Sequence, residues 1–89
     1  MTKEDKVKIL ELALEILENK HQIKASFICV AVESAASELG CRNGKNATEL
    51  IPELLKYKPD DKKSNYTWFP VEEREKRIDI LKEIIENLK

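Results

Sequence analysis

The sequence predicts an all-α fold, a compact bundle of about four helices in a small single domain, and three observations lead there. Apolar residues recur at helical spacing at both ends of the chain. The composition is rich in Leu, Ile, Glu and Lys, with only two glycines. Proline and glycine fall between the periodic stretches, where helices must start or stop. At 89 residues the chain holds one domain, residues 1–89, because a chain of this size buries only roughly 60–65% of its unfolded surface and cannot divide that core.

Helix one is expected over about residues 3–20. Thr2 stands three residues before Asp5 as an N-cap with an acidic first turn, and apolar positions follow at Val7, Ile9, Leu10, Ala13, Leu14, Ile16 and Leu17. Projected at about 100° per residue, they cover roughly 220° of the helix. One neighbour needs a narrower stripe, so this helix either lies deep between two layers or is partly covered by a second copy of the chain. A homo-oligomer through helix one is the expectation.

The run Phe27-Ile-Cys-Val-Ala-Val32 suits a buried strand by composition, but its continuation through Glu33 to Leu39 makes a helix of about 13 residues. Ser26 is the expected cap, and Gly40 stands where a helix end wants φ > 0. Helix two is expected to be central, with helices one and four packed on it. Cys41–Asn46 reads as a turn. Its Asn43-Gly44 pair would signal a hairpin only between strands.

Asn46-Ala-Thr-Glu49 has capping-box spacing, yet Pro52 follows too soon for a continuous helix. The expectation is a short turn, a break, and a new start with Pro52 at the first helical position, closed by Pro59. Asp60–Asn65 is a solvated loop of mixed charge. Pro70 then opens helix four, which runs to about Asn87 with Glu72 and Glu73 in its first turn. Its core stripe is Ile78, Ile80, Leu81, Ile84, Ile85 and Leu88, opposite Glu75, Lys82 and Glu86.

The same projection places Arg74 and Arg77 inside that stripe, close in sequence to Tyr66, Trp68 and Phe69. A guanidinium turned toward the core must find an anion or an aromatic face. In one reading the two arginines pair with carboxylates such as Glu53 or Glu33, lay their stems on Trp68, and stabilise the helix entry. In the other, a planar and permanently charged fork beside an aromatic face and a helix N-terminus holds a phosphate, a carboxylate or a stacked base. The candidate ligand-binding residues are therefore Tyr66, Trp68, Arg74 and Arg77, with Tyr57 as a further wall. A protein interface anchored by Trp and Arg is a third use of the same residues.

Most chemistry is disfavoured. His21 is the only histidine, and no His/Cys/Asp spacing fits a zinc site, so neither a metal nor a cofactor is expected. Ser26, Ser34, Ser37 and Ser64 have no evident base, and Cys29 inside an apolar helix reads as an inert core residue. Gly40-Cys-Arg-Asn-Gly-Lys45 is one residue short of a phosphate loop, and Asn46 stands where Ser or Thr would hold magnesium; it reads as a helix-ending turn. Sixteen basic and seventeen acidic residues leave a net charge of −1, without the field that favours long nucleic acid. The charged start and the glutamates within helix one argue against a signal peptide or a membrane span. A cytoplasmic protein with reduced Cys29 and Cys41 is expected, in which the Asn46-Ala-Thr48 and Asn65-Tyr-Thr67 patterns are not glycosylated.

The order Phe27-Ile-Cys-x-Ala31, Ile51-Pro-Glu53, Lys58-Pro59, Trp68-Phe-Pro70, then Arg77 to Leu81 in a final amphipathic helix, resembles small proteins of unknown function from tailed bacteriophages and prophages. The resemblance covers about residues 25–89 and carries no known activity or site residues. It implies a setting, the cytoplasm of a bacterial host, where short non-enzymatic phage proteins modulate a host system by capping a host protein or sequestering a nucleotide signal. Binding without catalysis is the expected role, with an anionic small molecule or nucleotide as ligand or a host protein as partner.

Overall fold

The computed structural model describes residues 1–18, 27–57 and 74–89, and these are helical with no strand among them. In chain order they form α1 (Lys3–Glu18), α2 (Ile28–Glu38), a single-turn α3 (Ala47–Leu50), a 3-10 helix (Pro52–Tyr57) and α4 (Arg74–Leu88). The expected all-α domain is thus observed. The end of helix one beyond Glu18, the Ser26 cap, Pro59, the 60–65 loop and the Pro70 start of helix four lie outside the described residues.

α1 starts where Thr2 permits. The Thr2 Oγ1 accepts the Asp5 N–H at 3.1 Å, satisfying one of the first-turn donors that no helical carbonyl can reach. Ile9, Leu10, Ala13 and Leu17 are buried, while Val7, Leu12, Leu14 and Ile16 are half-buried against the same core. This broad face is used by two neighbours, since α1 packs on α2 and also on α4. The helix in the middle is α1, and the expectation that helix two is central is corrected. The physical reason is how the arcs are used: the broad apolar arc of α1 takes both α2 and α4, whereas α2 packs on α1 and the short α3. Because both partners lie within the chain, the width of the arc does not require a second copy.

α2 is nonetheless the most enclosed by composition. Ile28, Cys29, Ala31, Val32, Ala35 and Ala36 are buried, and the small alanines let α1 approach closely. Its N-cap position falls on Phe27, in extended geometry and without a side-chain cap bond. Its end follows glycine chemistry. Gly40 takes φ +75°, its N–H reaches the Ser37 carbonyl at 3.1 Å, and the Cys41 N–H reaches Ala36 at 2.9 Å, the paired bonds of a Schellman motif.

Asn43 and Gly44 then take φ 50° and 74°, and the Lys45 N–H returns to the Arg42 carbonyl at 2.9 Å. Two consecutive positive φ values make a type I′ turn, here joining helices instead of strands. Asn46 completes the expected capping box: its side chain accepts the Glu49 N–H at 3.0 Å, and the Glu49 carboxylate accepts the Asn46 N–H at 3.2 Å. Proline at position 52 ends α3 and opens the 3-10 helix, as the break-and-restart pattern predicts, with the tighter helix type replacing an α-helical turn.

No heavy atom lies within 4 Å of where a Cβ on Gly40 would stand, so substitution there meets backbone strain and no clash. Gly40→Ala is expected to cost about 1 kcal/mol through its left-handed φ alone, lowering the melting temperature by about 4–8 °C without changing the helical circular-dichroism spectrum.

Candidate functional site

Two charged side chains are enclosed in the described core, Glu33 and Arg77. Glu33 lies one helical step from Cys29 and Ala36, on the inward stripe of α2. Its Oε1 accepts from the Arg42 Nη2 at 2.9 Å and its Oε2 accepts the Ala47 N–H at 3.1 Å. The carboxylate therefore ties α2 both to the I′ turn and to the first residue of α3. Arg42 closes the ring by donating from Nε to the Lys45 carbonyl at 3.1 Å.

Arg77 has no exposed surface and is the bulkiest fully buried side chain among the described residues. Its inward placement agrees with the periodicity of helix four. Its guanidinium carbon stands 5.8 Å from the centre of the Phe27 ring, within cation–π range, so the aromatic face it meets belongs to the entry of α2. Arg74 begins α4, and nothing is described of its side chain. Tyr66 and Trp68 fall outside the described residues.

Tyr57 is placed elsewhere. It ends the 3-10 helix and lines a groove of about 290 Å³ with Pro52, Glu53, Lys56, Ile84, Asn87 and Leu88. Ile84 is two turns along α4 from Arg77, about 10 Å at 1.5 Å per residue. Arg77 and Tyr57 thus face different stretches of the same helix, and the structure does not bring them into one cavity.

The groove follows from 3-10 geometry, in which residues three apart eclipse. Leu54 and Tyr57 share the inward ridge, with Leu54 fully buried; Glu53 and Lys56 share the flank; Pro52 and Leu55 share the outer ridge and are exposed. The Lys56 Nζ stands 5.6 Å from the centre of the Tyr57 ring. The Tyr57 hydroxyl oxygen is buried and finds no hydrogen-bond partner among the described residues. Burial first, then the nearby Glu83 carboxylate, raise its pKa above the ordinary 10, so the phenol keeps its proton and remains a donor.

Glu53 is held by the Lys6 ammonium at 3.0 Å, a bond between α1 and the 3-10 helix across 47 residues of sequence. Partial burial raises the Glu53 pKa, but the hydrogen bond from its own backbone N–H, together with the hydrogen bond and charge of Lys6, outweighs it and leaves the carboxyl below its usual 4.5. No cluster of His, Cys, Asp and Glu suited to a metal occurs among the described residues. Cys29 is buried and Cys41 half-buried, and neither is in a disulfide. No described helix is long and apolar enough to cross a membrane.

The chain has no significant match among protein-family models, curated proteins or solved structures. Its own geometry therefore carries the functional argument.

Two outcomes follow from these charges. Arg77→Ala should destabilise the domain by about 3 kcal/mol, and Arg77→Met by clearly less because the volume is kept, as read from urea midpoints. Since the folded Glu53 pKa is depressed, its stabilising contribution is present above about pH 4.5 and is lost as pH falls through the folded value. Glu53→Gln should remove that part of the acid-side loss. The change should be at most about 1 kcal/mol, since the pair is partly exposed and screened by solvent.

Proposed function

We propose that this chain is a non-enzymatic binding protein that holds a small anionic molecule, a nucleotide signal included, in the setting that the resemblance to small phage proteins implies: modulation of a host system. The observation that carries the reading is the Tyr57 groove. It joins an apolar floor, a cation and a phenol that makes no well-formed hydrogen bond among the described residues, although the Glu83 carboxylate stands near it. Concavities of this kind, apolar with a few converging polar groups, are where small ligands bind. Arg77, fully enclosed on the Phe27 ring, serves the fold in this reading and not the ligand.

One observation favours a second reading, in which the chain caps a host protein. Pro52 and Leu55 form an exposed apolar ridge beside the groove, and 55% of Leu55 is accessible. A partner protein would bury that ridge, whereas a small ligand would leave it wet.

A thermal-shift panel of inorganic phosphate, mono-, di- and cyclic nucleotides and simple carboxylates separates the two. A binding anion at about 100 times its Kd should stabilise the fold by about 2.7 kcal/mol. The same shift should persist in Arg77→Met. A panel without any shift would overturn the small-ligand reading in favour of the protein partner.

A further inference from the structure

We propose that the groove between the 3-10 helix and the C-terminal half of α4 binds a monocarboxylate carried on an apolar body, with Lys56 and Tyr57 holding the carboxylate and Ile84 and Leu88 the body. This rests on the small-ligand reading of the same groove and names the class of ligand.

Three features select that class. The first is shape and polarity: about 290 Å³ lies at the small end of ligand cavities, and Ile84 and Leu88 give it an apolar floor with the exposed Pro52 at its rim. A short aliphatic chain or a single aromatic ring fits such a space with no polar edge left unmet, which narrows the anions of the functional reading to this class.

The second is the supply of donors. Lys56 forms no ion pair among the described residues, and its ammonium is tethered over the Tyr57 ring at 5.6 Å. The Tyr57 O–H is a second donor, buried and without a well-formed hydrogen bond, with the Glu83 carboxylate as its nearby competitor, and the Asn87 amide in the lining is a third. The one carboxylate in the lining, Glu53, is already occupied by Lys6 at two contacts, 3.0 and 3.3 Å. The groove therefore offers donors and asks for an acceptor. A carboxylate has two oxygens and meets Lys56 and Tyr57 together.

The third is charge. Around the groove stand Lys6 and Lys56 against Glu53 and Glu83, with the Glu83 carboxylate near the Tyr57 phenol. One negative charge completes Lys56. A second would sit near Glu53 and Glu83 without a cation, and the groove supplies no arginine fork, the usual device for a phosphate.

The test uses the full chain with octanoate as probe, octanol as its neutral counterpart and inorganic phosphate as the dianion, read by NMR shifts of the Ile84 and Leu88 methyl groups. Octanoate should move these methyls in a saturable way and bind about three- to fivefold tighter than octanol, the factor expected of one solvent-screened ion pair. Lys56→Met should bring octanoate down to the affinity of octanol. Tyr57→Phe should also weaken octanoate, yet leave the melting temperature nearly unchanged, because the hydroxyl removed makes no well-formed hydrogen bond in the free protein. A purely structural Tyr57 would instead lose stability and leave affinity intact. Equal binding of octanoate and octanol, or shifts confined to other parts of the chain, would overturn the assignment. Binding of phosphate or a nucleotide without octanoate would overturn this ligand class while leaving the binding function standing.

Discussion

A single carboxylate, that of Glu33, fixes how the second half of this small domain is built. It is buried in α2 and satisfies two donors, the Arg42 guanidinium and the N–H of Ala47. A buried charge stripped of such partners is costly, so α2 cannot settle in the core unless the chain after Gly40 turns back to meet it. The Schellman end at Gly40, the I′ turn at Asn43-Gly44 and the capping box of α3 are the backbone devices that bring Arg42 and Ala47 to that carboxylate. The 3-10 helix that follows is carried by the same arrangement. Its contacts with α4 form the groove that is the domain's candidate binding site.

The remainder of the architecture is organised by α1. Its wide apolar face accepts α2 on one side and α4 on the other, and Lys6 on its polar flank holds the 3-10 helix through Glu53. Arg77 sits at the opposite end of α4 from the groove, enclosed and facing the Phe27 ring. One helix thus carries two functions at two depths: its first turns anchor the entry of α2, and its last turns supply the floor of the groove. A charge buried as completely as Arg77 is unsuited to capturing a ligand from solution, whereas Lys56 is exposed and stands next to a proton donor.

Much of this was legible in the chain because the signals are local. Thr2, Gly40, the Asn46/Glu49 pair and Pro52 each announce a helix boundary by a mechanism confined to a few residues, and each boundary falls at or within a residue of its signal. The inward turn of Arg77 was legible too, since periodicity decides which face a residue occupies. Glu33 carries the same signal at the i+4 step from Cys29, but periodicity does not name Arg42 and the Ala47 N–H as its partners. What periodicity could not give was the partner of each face. The broad arc of α1 was compatible with a second copy of the chain, and only tertiary packing assigns it to α2 and α4. Tyr57 was chosen as a wall for the arginines; sequence neighbourhood does not tell that the 3-10 helix meets α4 two turns away from Arg77.

The dependence of the groove on Glu33 can be measured residue by residue with amide hydrogen exchange on Glu33→Gln. A glutamine presents one acceptor and one donor where the carboxylate presents two acceptors, so either Arg42 or the Ala47 N–H must face an amide NH2. Protection should fall selectively at Ala47, Leu50, Ile51 and Leu54, while the amides from Ile9 to Leu17 and from Ile80 to Leu88 keep theirs. Exchange that rises evenly along the chain, or that stays unchanged at Ala47 and Leu54, would contradict the account.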